Sequence, residues 1–304
     1  MPTRILVPLD GSRLAEQALS YAMTLGRGLP AELVLFRAIS IPSDVQDALD
    51  KAELKPGSLL ARLETDAGEY LTAIAHFAQQ SGLSASHIVR RGPAADVIVE
   101  YAAQTEIQLI VMASHGYTGI KRWRHGSVAE RVLQSASVPV LLLRAEEGES
   151  EGLPHPRPCR RILVPVDGSP VAEQVLPVIA PLAQALACAL ILFQVPIVYT
   201  PGSPMGEWYL PLQSTFDISD RQAKAYLDRL AGRLQEQGIK VSTALGEGPV
   251  AEAIIDHAAD SDSDLIAMCT HGRTGLARWA LGSVADRVLR AGDKPILLVR
   301  AQKT

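Results

Sequence analysis

RILVPLDGSRLAEQALS, residues 4–20, returns at residues 161–177 as RILVPVDGSPVAEQVLP, with 12 of 17 positions identical. Each copy opens on a short branched-apolar run, breaks at Asp-Gly-Ser and continues with apolar residues at helical spacing. That order reads as a strand, a tight turn and a helix. Asp10 and Asp167 therefore close a first strand, and Ser12 and Ser169 stand where the following helix takes its N-cap.

Working outward, the duplication continues in the same order along both halves. Gly92-Pro93-Ala94 returns as Gly248-Pro249-Val250, and Val128-Ala129-Glu130-Arg131-Val132-Leu133 returns as Val284-Ala285-Asp286-Arg287-Val288-Leu289. Between these lies SHGYTGIKRWRHGS at 114–127, repeated as THGRTGLARWALGS at 270–283 with 8 of 14 positions identical. The two copies are separated by a charged, proline-rich stretch without periodicity, so the chain divides into a domain at 1–145, a linker at 146–158 and a second domain at 159–304. Within each copy, β-branched or leucine-rich runs alternate with amphipathic segments, the pattern of an α/β parallel sheet with helices on both faces. Strands are predicted at 4–9, 32–38, 85–90, 108–113 and 139–143, and at 161–166, 189–195, 239–244, 264–269 and 295–299. Helices are predicted near 12–27, 57–81, 94–104 and 127–137, and near 169–186, 217–237, 250–260 and 283–291.

Composition excludes several classes of function. A chain of 304 residues with 47% apolar content supports two ordinary cores, and a net charge of -4 with scattered Lys and Arg argues against a nucleic-acid footprint or a membrane surface. The most apolar stretch, 178–198, is interrupted by Pro181, Gln184, Gln194 and Pro196, too early for a membrane span. Cys159, Cys188 and Cys269 show no CxxC spacing, which fits reduced thiols rather than a disulfide frame or zinc site. Met1 leads almost directly into the first strand and leaves no room for a signal peptide, so the expected location is cytoplasmic.

Chemistry is expected where parallel strands end, because ligands of open α/β sheets sit outside the carboxyl edge at the point where strand order reverses. Asp10 and Asp167 lie at such ends. So does the glycine loop, which leaves the fourth strand and enters the last helix. Gly116, Gly119 and Gly126, and their counterparts Gly272, Gly275 and Gly282, suit a backbone that approaches an anion, and the helix start after Gly126-Ser127 or Gly282-Ser283 offers free amides. Other readings of these residues stand beside this one. The glycines can serve turns alone, the two aspartates can serve capping alone, and His115 and His271 read as loop hydrogen-bonding groups rather than acids or bases. Trp123 and Trp279 read as packing anchors, Cys269 as a small buried residue, and Lys121, Arg122, Arg273 and Arg278 as solvated charges unless one approaches a terminal phosphate. A Walker A loop, a dinucleotide glycine fingerprint after the first strand, a Gly-x-Ser-x-Gly elbow and paired catalytic carboxylates are all absent. The residues describe a binding site more clearly than a catalytic one.

Taken together, Val-Pro-Leu-Asp-Gly-Ser and Val-Pro-Val-Asp-Gly-Ser, the Gly-Pro before the third helix, and Ser-His-Gly or Thr-His-Gly running to Gly-Ser-Val-Ala resemble the universal stress protein family in its tandem form. The resemblance implies two Rossmann-like, adenine nucleotide alpha-hydrolase-like domains, each with five parallel strands in the order 3-2-1-4-5. It also implies a stress-response role through binding of ATP, ADP or AMP, with an unidentified regulatory protein partner. Slow magnesium-dependent ATP hydrolysis, nucleotidyl transfer and a nucleotide-free scaffold are the alternatives. The family's nucleotide binders use Gly-x2-Gly-x9-Gly followed by Ser or Thr. Laid on this chain, the second and third glycines are Gly116 and Gly126, then Ser127 and Val128, or Gly272 and Gly282, then Ser283 and Val284. The first glycine is replaced by Ala113 in one half and by the bulkier Cys269 in the other, which favours the first site. By the same resemblance Asp10 and Asp167 lie near ribose or magnesium, Ala38 and Val195 present backbone to the adenine edge, and Pro8, Met112, Pro165 and Met268 line the adenine pocket. Family members dimerise through the last strand, which implies an intramolecular pseudo-dimer here and a homodimer as a further form.

Overall fold

The structure, a computed structural model, describes residues 3–41, 56–114, 126–144, 155–196, 213–271 and 281–301. The chain divides into two compact units, Met1–Pro158 and Cys159–Thr304. In the first, β1 (Thr3–Pro8), α1 (Arg13–Gly28), β2 (Ala31–Ile39), α2 (Pro56–Gln80), β3 (Ser84–Arg91), α3 (Ala94–Gln104), β4 (Leu109–Ala113), α4 (Ser127–Ser135) and β5 (Val140–Leu143) follow in turn. All strand pairings are parallel. β1 pairs with β2 on one side and β4 on the other, β2 carries β3, and β4 carries β5, which gives the order β3-β2-β1-β4-β5.

The second unit repeats this plan with β6 (Arg161–Pro165), a 3-10 turn (Ala172–Val175), α5 (Leu176–Leu186), β7 (Ala189–Gln194), α6 (Gln213–Gln235), β8 (Lys240–Leu245), α7 (Val250–Asp260), β9 (Leu265–Cys269), α8 (Ser283–Ala291) and β10 (Ile296–Val299). Its pairings again place the first strand between the second and the fourth: β8-β7-β6-β9-β10. No helix among the described residues is long and apolar enough to cross a membrane.

Burial follows from the parallel plan, because crossover helices cover both faces and the central strands must be apolar throughout. Ile5, Leu6 and Val7 are fully buried, every residue of β4 and β9 is buried, and Leu19 and Met23 bring the apolar stripe of α1 down onto the sheet. The outermost β3 and β8 instead alternate with exposed positions, matching their polar sequences.

Two helix starts differ from the expected ones. Ser12 caps α1 by accepting the Ala15 N–H at 3.1 Å, and Ser169 accepts the Ala172 N–H at 3.2 Å in the same role. Beyond Ser169, however, the helix predicted over 169–186 is a single 3-10 turn followed by α5 from Leu176. Pro177 fits this start: it has no N–H for the carbonyl four residues back, so it sits best in a first helical turn, although the helix also accommodates Pro181 further along. α6 begins at Gln213, four residues before its predicted start at 217.

Replacing Ser12 by Ala removes the cap of α1 together with a donor to Asp10. Urea unfolding should show a loss of about 1 kcal/mol, within a range of about 0.5–2 kcal/mol, with the helical circular dichroism retained.

Candidate functional site

In each unit the first strand lies beside the fourth, yet the chain leaves them in opposite senses, toward β2 and toward β5 in the first unit. The strand ends therefore diverge and leave a crevice at the carboxyl edge of the sheet. A cleft of about 900 Å³, its open mouth included, occupies this place in the first unit, with Asp10, Ala38, Met112, Ala113, Gly126, Ser127 and Val128 on its walls. The corresponding cleft of the second unit, also about 900 Å³, is walled by Asp167, Val195, Met268, Cys269, Gly282, Ser283 and Val284.

The base of the glycine loop is held by one backbone hydrogen bond in each half. Gly126 N–H donates to the Ser114 carbonyl at 2.8 Å, and Gly282 N–H donates to the Thr270 carbonyl at 2.8 Å. Each glycine is then the N-cap of the helix that follows, with no side-chain cap, whereas α1 carries its own Ser12 cap. The opening amides of α4 and α8 lack carbonyl partners within their helices, as all helix starts do, and they sit on the cleft wall. A Cβ on Gly282 would stand 3.0 Å from the Thr270 carbonyl oxygen and 3.5 Å from the His271 Cα, so the meeting of the loop ends leaves no room for a side chain. At the same base, Thr270 Oγ1 and His271 Nδ1 share a hydrogen bond at 3.1 Å.

Asp10 holds its turn through one carboxylate oxygen. Its Oδ1 accepts the Ser12 hydroxyl at 2.6 Å and the Ser12 N–H at 2.9 Å, and Asp167 repeats both contacts with Ser169 at the same distances. Holding the turn and lining the cleft thus coincide in this aspartate. Gly11 and Gly168, both at φ +83°, make the left-handed step that this turn requires. Cys269 is buried, its thiol donates to the Ala172 carbonyl at 3.6 Å, and burial pushes that thiol up to about 12. A thiol so placed is a packing group and a poor nucleophile.

An aromatic ring from the second strand forms part of each cleft, fixed from behind. Phe36 meets Tyr101 with centroids 5.4 Å apart, and Arg90 lies over Tyr101 at 5.8 Å. Phe193 stacks on His257 at 4.7 Å, and Gly246 gives it space: a Cβ there would stand 2.3 Å from Cζ of the ring. Behind the Asp turns, each unit also ties its first two crossover segments together. Tyr70 donates to Glu16 at 2.9 Å with Arg37 over its ring at 5.3 Å, and Tyr226 donates to Glu173 at 3.1 Å with Arg233 on the other carboxylate oxygen at 2.9 Å. Burial, with the facing Glu16, pushes the Tyr70 hydroxyl far above its ordinary range, so it stays a donor.

Every described residue singled out from the sequence for this site lines one of the two clefts, Pro8 and Pro165 included. Gly116, Gly119, Gly272 and Gly275 lie outside the described residues, as do His115, Lys121, Arg122, Trp123, Arg273, Arg278 and Trp279. Sequence reasoning missed Phe36, Phe193, Ala94 and Val250. Ala94 and Val250 follow the repeated Gly-Pro, and Phe36 and Phe193 recur at the spacing of the Asp-Gly-Ser repeat, so the duplication itself carried the signal. Among the described residues no three or more His, Cys, Asp and Glu side chains converge as a metal site.

The universal stress protein family model matches residues 1–144 and again 158–300. The chain belongs to the universal stress protein family. A universal stress protein of Methanocaldococcus jannaschii is 30% identical over 148 residues, covering 47% of this chain and 84% of that protein. One of Synechocystis is 24% identical over 318 residues, covering 97% and 99%. The crystal structure of a universal stress protein from Archaeoglobus fulgidus superimposes with a TM-score of 0.70 at 19% identity, covering 100% of this chain and 98% of that one, so the fold is shared over the full length. Universal stress protein domains thus account for both units.

Gly246→Ala tests how tightly the second cleft is packed. Its methyl group must displace the Phe193 ring from His257, so the variant should lose about 1–3 kcal/mol in denaturant unfolding. Gly248→Ala, a neighbouring position where a Cβ meets nothing within 4 Å but φ is +85°, serves as the backbone-strain control.

Proposed function

We propose that this universal stress protein binds adenine nucleotides, ATP foremost, in the clefts of both units, and that occupancy sets its conformation or its choice of a regulatory protein partner. The observation that carries this reading is the glycine-capped helix start on the wall of each cleft. Unpartnered amides at the positive end of a helix suit a phosphate, and the absent side chain lets phosphate reach them. The fit extends to the rest of the cleft. Met112, Phe36 and Pro8 give the first site an apolar wall suited to a purine, Ala38 stands at the strand end where a backbone edge meets the base, and Asp10 stands between base and phosphate positions to take ribose hydroxyls. Gly116 and Gly119 in the first half, and Gly272 and Gly275 in the second, belong to the same proposed phosphate loop.

In the second unit, Met268, Phe193, Val195 and Asp167 take the corresponding roles, with Gly282, Ser283 and Val284 at the phosphates. Cys269 narrows this site where the first has Ala113, so the first is proposed to bind more tightly. Magnesium, if it accompanies ATP, would be held by a single carboxylate, Asp10 or Asp167, with phosphate oxygens and water completing its shell. The protein's own residues hold and orient the ligand: the helix amides neutralise phosphate, Ser127 or Ser283 adds a hydroxyl donor, and the apolar wall excludes water from the base.

Purified protein, boiled and analysed by mass spectrometry, should release adenine nucleotide, and titration calorimetry with ATP should give saturable heat. Absence of both would overturn the proposal. Gly126→Val should weaken binding at the first site at least tenfold, about 1.4 kcal/mol, while circular dichroism shows the fold intact; unchanged affinity in a folded variant would remove the helix start from the site.

A further inference from the structure

Away from the clefts, at the amino edge of the second unit's sheet, two of the three cysteines come together. Cys159 stands two residues before β6 and Cys188 immediately before β7, neighbouring strands that place Arg161 opposite Ala189. The Ala189 N–H donates to the Arg160 carbonyl at 2.8 Å, so the pairing reaches back to these residues. Cys159 and Cys188 are therefore staggered by one residue across adjacent strands. The Cys188 thiol donates to the Cys159 carbonyl at 2.8 Å, which brings it against the partner cysteine. Cys188 is buried, whereas Cys159 is partly exposed and opens the pair to small solutes. Cys269 takes no part, since its thiol faces the Ala172 carbonyl.

We propose that Cys159 and Cys188 form a reversible dithiol–disulfide site whose oxidant is a hydroperoxide. The site is independent of the nucleotide reading. In the first step the Cys188 sulfur attacks the peroxide's terminal oxygen. An S–O bond forms, the O–O bond breaks, and the leaving oxygen takes a proton as water or alcohol. In the second step the Cys159 sulfur attacks the sulfenic sulfur of Cys188. The S–S bond forms as the S–O bond breaks, and hydroxide leaves with the Cys159 proton as water. Two thiols lose two electrons and the peroxide gains them.

The polarity within the pair suits this order: the interaction between the two thiols pulls the Cys188 thiol down and pushes the Cys159 thiol up. The Asp264 carboxylate works against a thiolate, but it is itself engaged by the Arg160 and Arg161 amides at 2.6 and 3.0 Å. The repeat adds a further point. Counted back by the spacing of the Asp-Gly-Ser repeat, the first half has Pro2 and Ala31 at these positions, so the pair belongs to the second half alone.

The test treats the reduced full chain with hydrogen peroxide under native conditions, blocks remaining thiols by alkylation and maps peptides without reduction. The expected result is a cross-linked peptide pair joining Cys159 to Cys188, an intact mass lower by two hydrogens, full reversal by dithiothreitol, and Cys269 recovered as the alkylated thiol. Cys159→Ser, at the partly exposed position, should abolish the link and leave Cys188 trappable as a sulfenic acid by dimedone. Recovery of both cysteines as free thiols, their over-oxidation without a link, or a link that forms only in denaturant would each overturn the proposal.

Discussion

Parallel hydrogen bonding of the first strand to the fourth, with the second strand on the other side of the first, is the constraint on which the rest of each unit depends. β1 meets β4 at Ile5–Leu109 and Leu6–Ile110, and β6 meets β9 at Ile162–Leu265 and Leu163–Ile266. The crossovers leave such a pair in opposite senses, so they diverge from the gap between their carboxyl ends. The Asp-Gly-Ser turn and the glycine loop are the two segments that begin there. Their chemistry is brought together by topology, since about a hundred residues separate Asp10 from Gly126 along the chain. The same constraint accounts for the core: crossover helices cover both faces, and unbroken aliphatic runs such as Ile5-Leu6-Val7 are the consequence.

The hydrogen bond from Gly126 to Ser114, and from Gly282 to Thr270, then decides the shape of the cleft beside the last helix of each unit. It joins the residue after the fourth strand to the N-cap of the last helix, so the two ends of the glycine loop meet. That closure brings the helix amides beside the end of the fourth strand. It also favours glycine at 282, where a methyl group would press on the Thr270 carbonyl. The Asp turn is built by a comparable economy of contacts, with one carboxylate oxygen holding the serine that caps the next helix.

The two halves share this framework and differ in what is placed on it. Pro177 shortens the first α-helix of the second unit to a start at Leu176, Cys269 replaces Ala113, and a stacked Phe193–His257 pair replaces the tilted Phe36–Tyr101 contact. The cysteine pair before β6 and β7 has no counterpart in the first half. Duplication has kept the backbone devices and let the side chains around them diverge.

Much of this was legible in the chain itself. Periodicity distinguished strands from helices because buried parallel strands are continuously apolar while the crossovers carry a 3.6-residue stripe, and the internal repeat let each half corroborate the other. Asp10, Asp167, Gly126 and Gly282 could be singled out because turn and helix-start residues have local requirements that show in sequence. Tertiary structure alone decided which of the repeated apolar residues face the cleft, that Tyr70 reaches Glu16 and Tyr226 reaches Glu173, and that Cys159 meets Cys188. Those contacts depend on strand register and on how neighbouring strands are staggered. Register is a property of pairing between distant segments, and local composition does not record it.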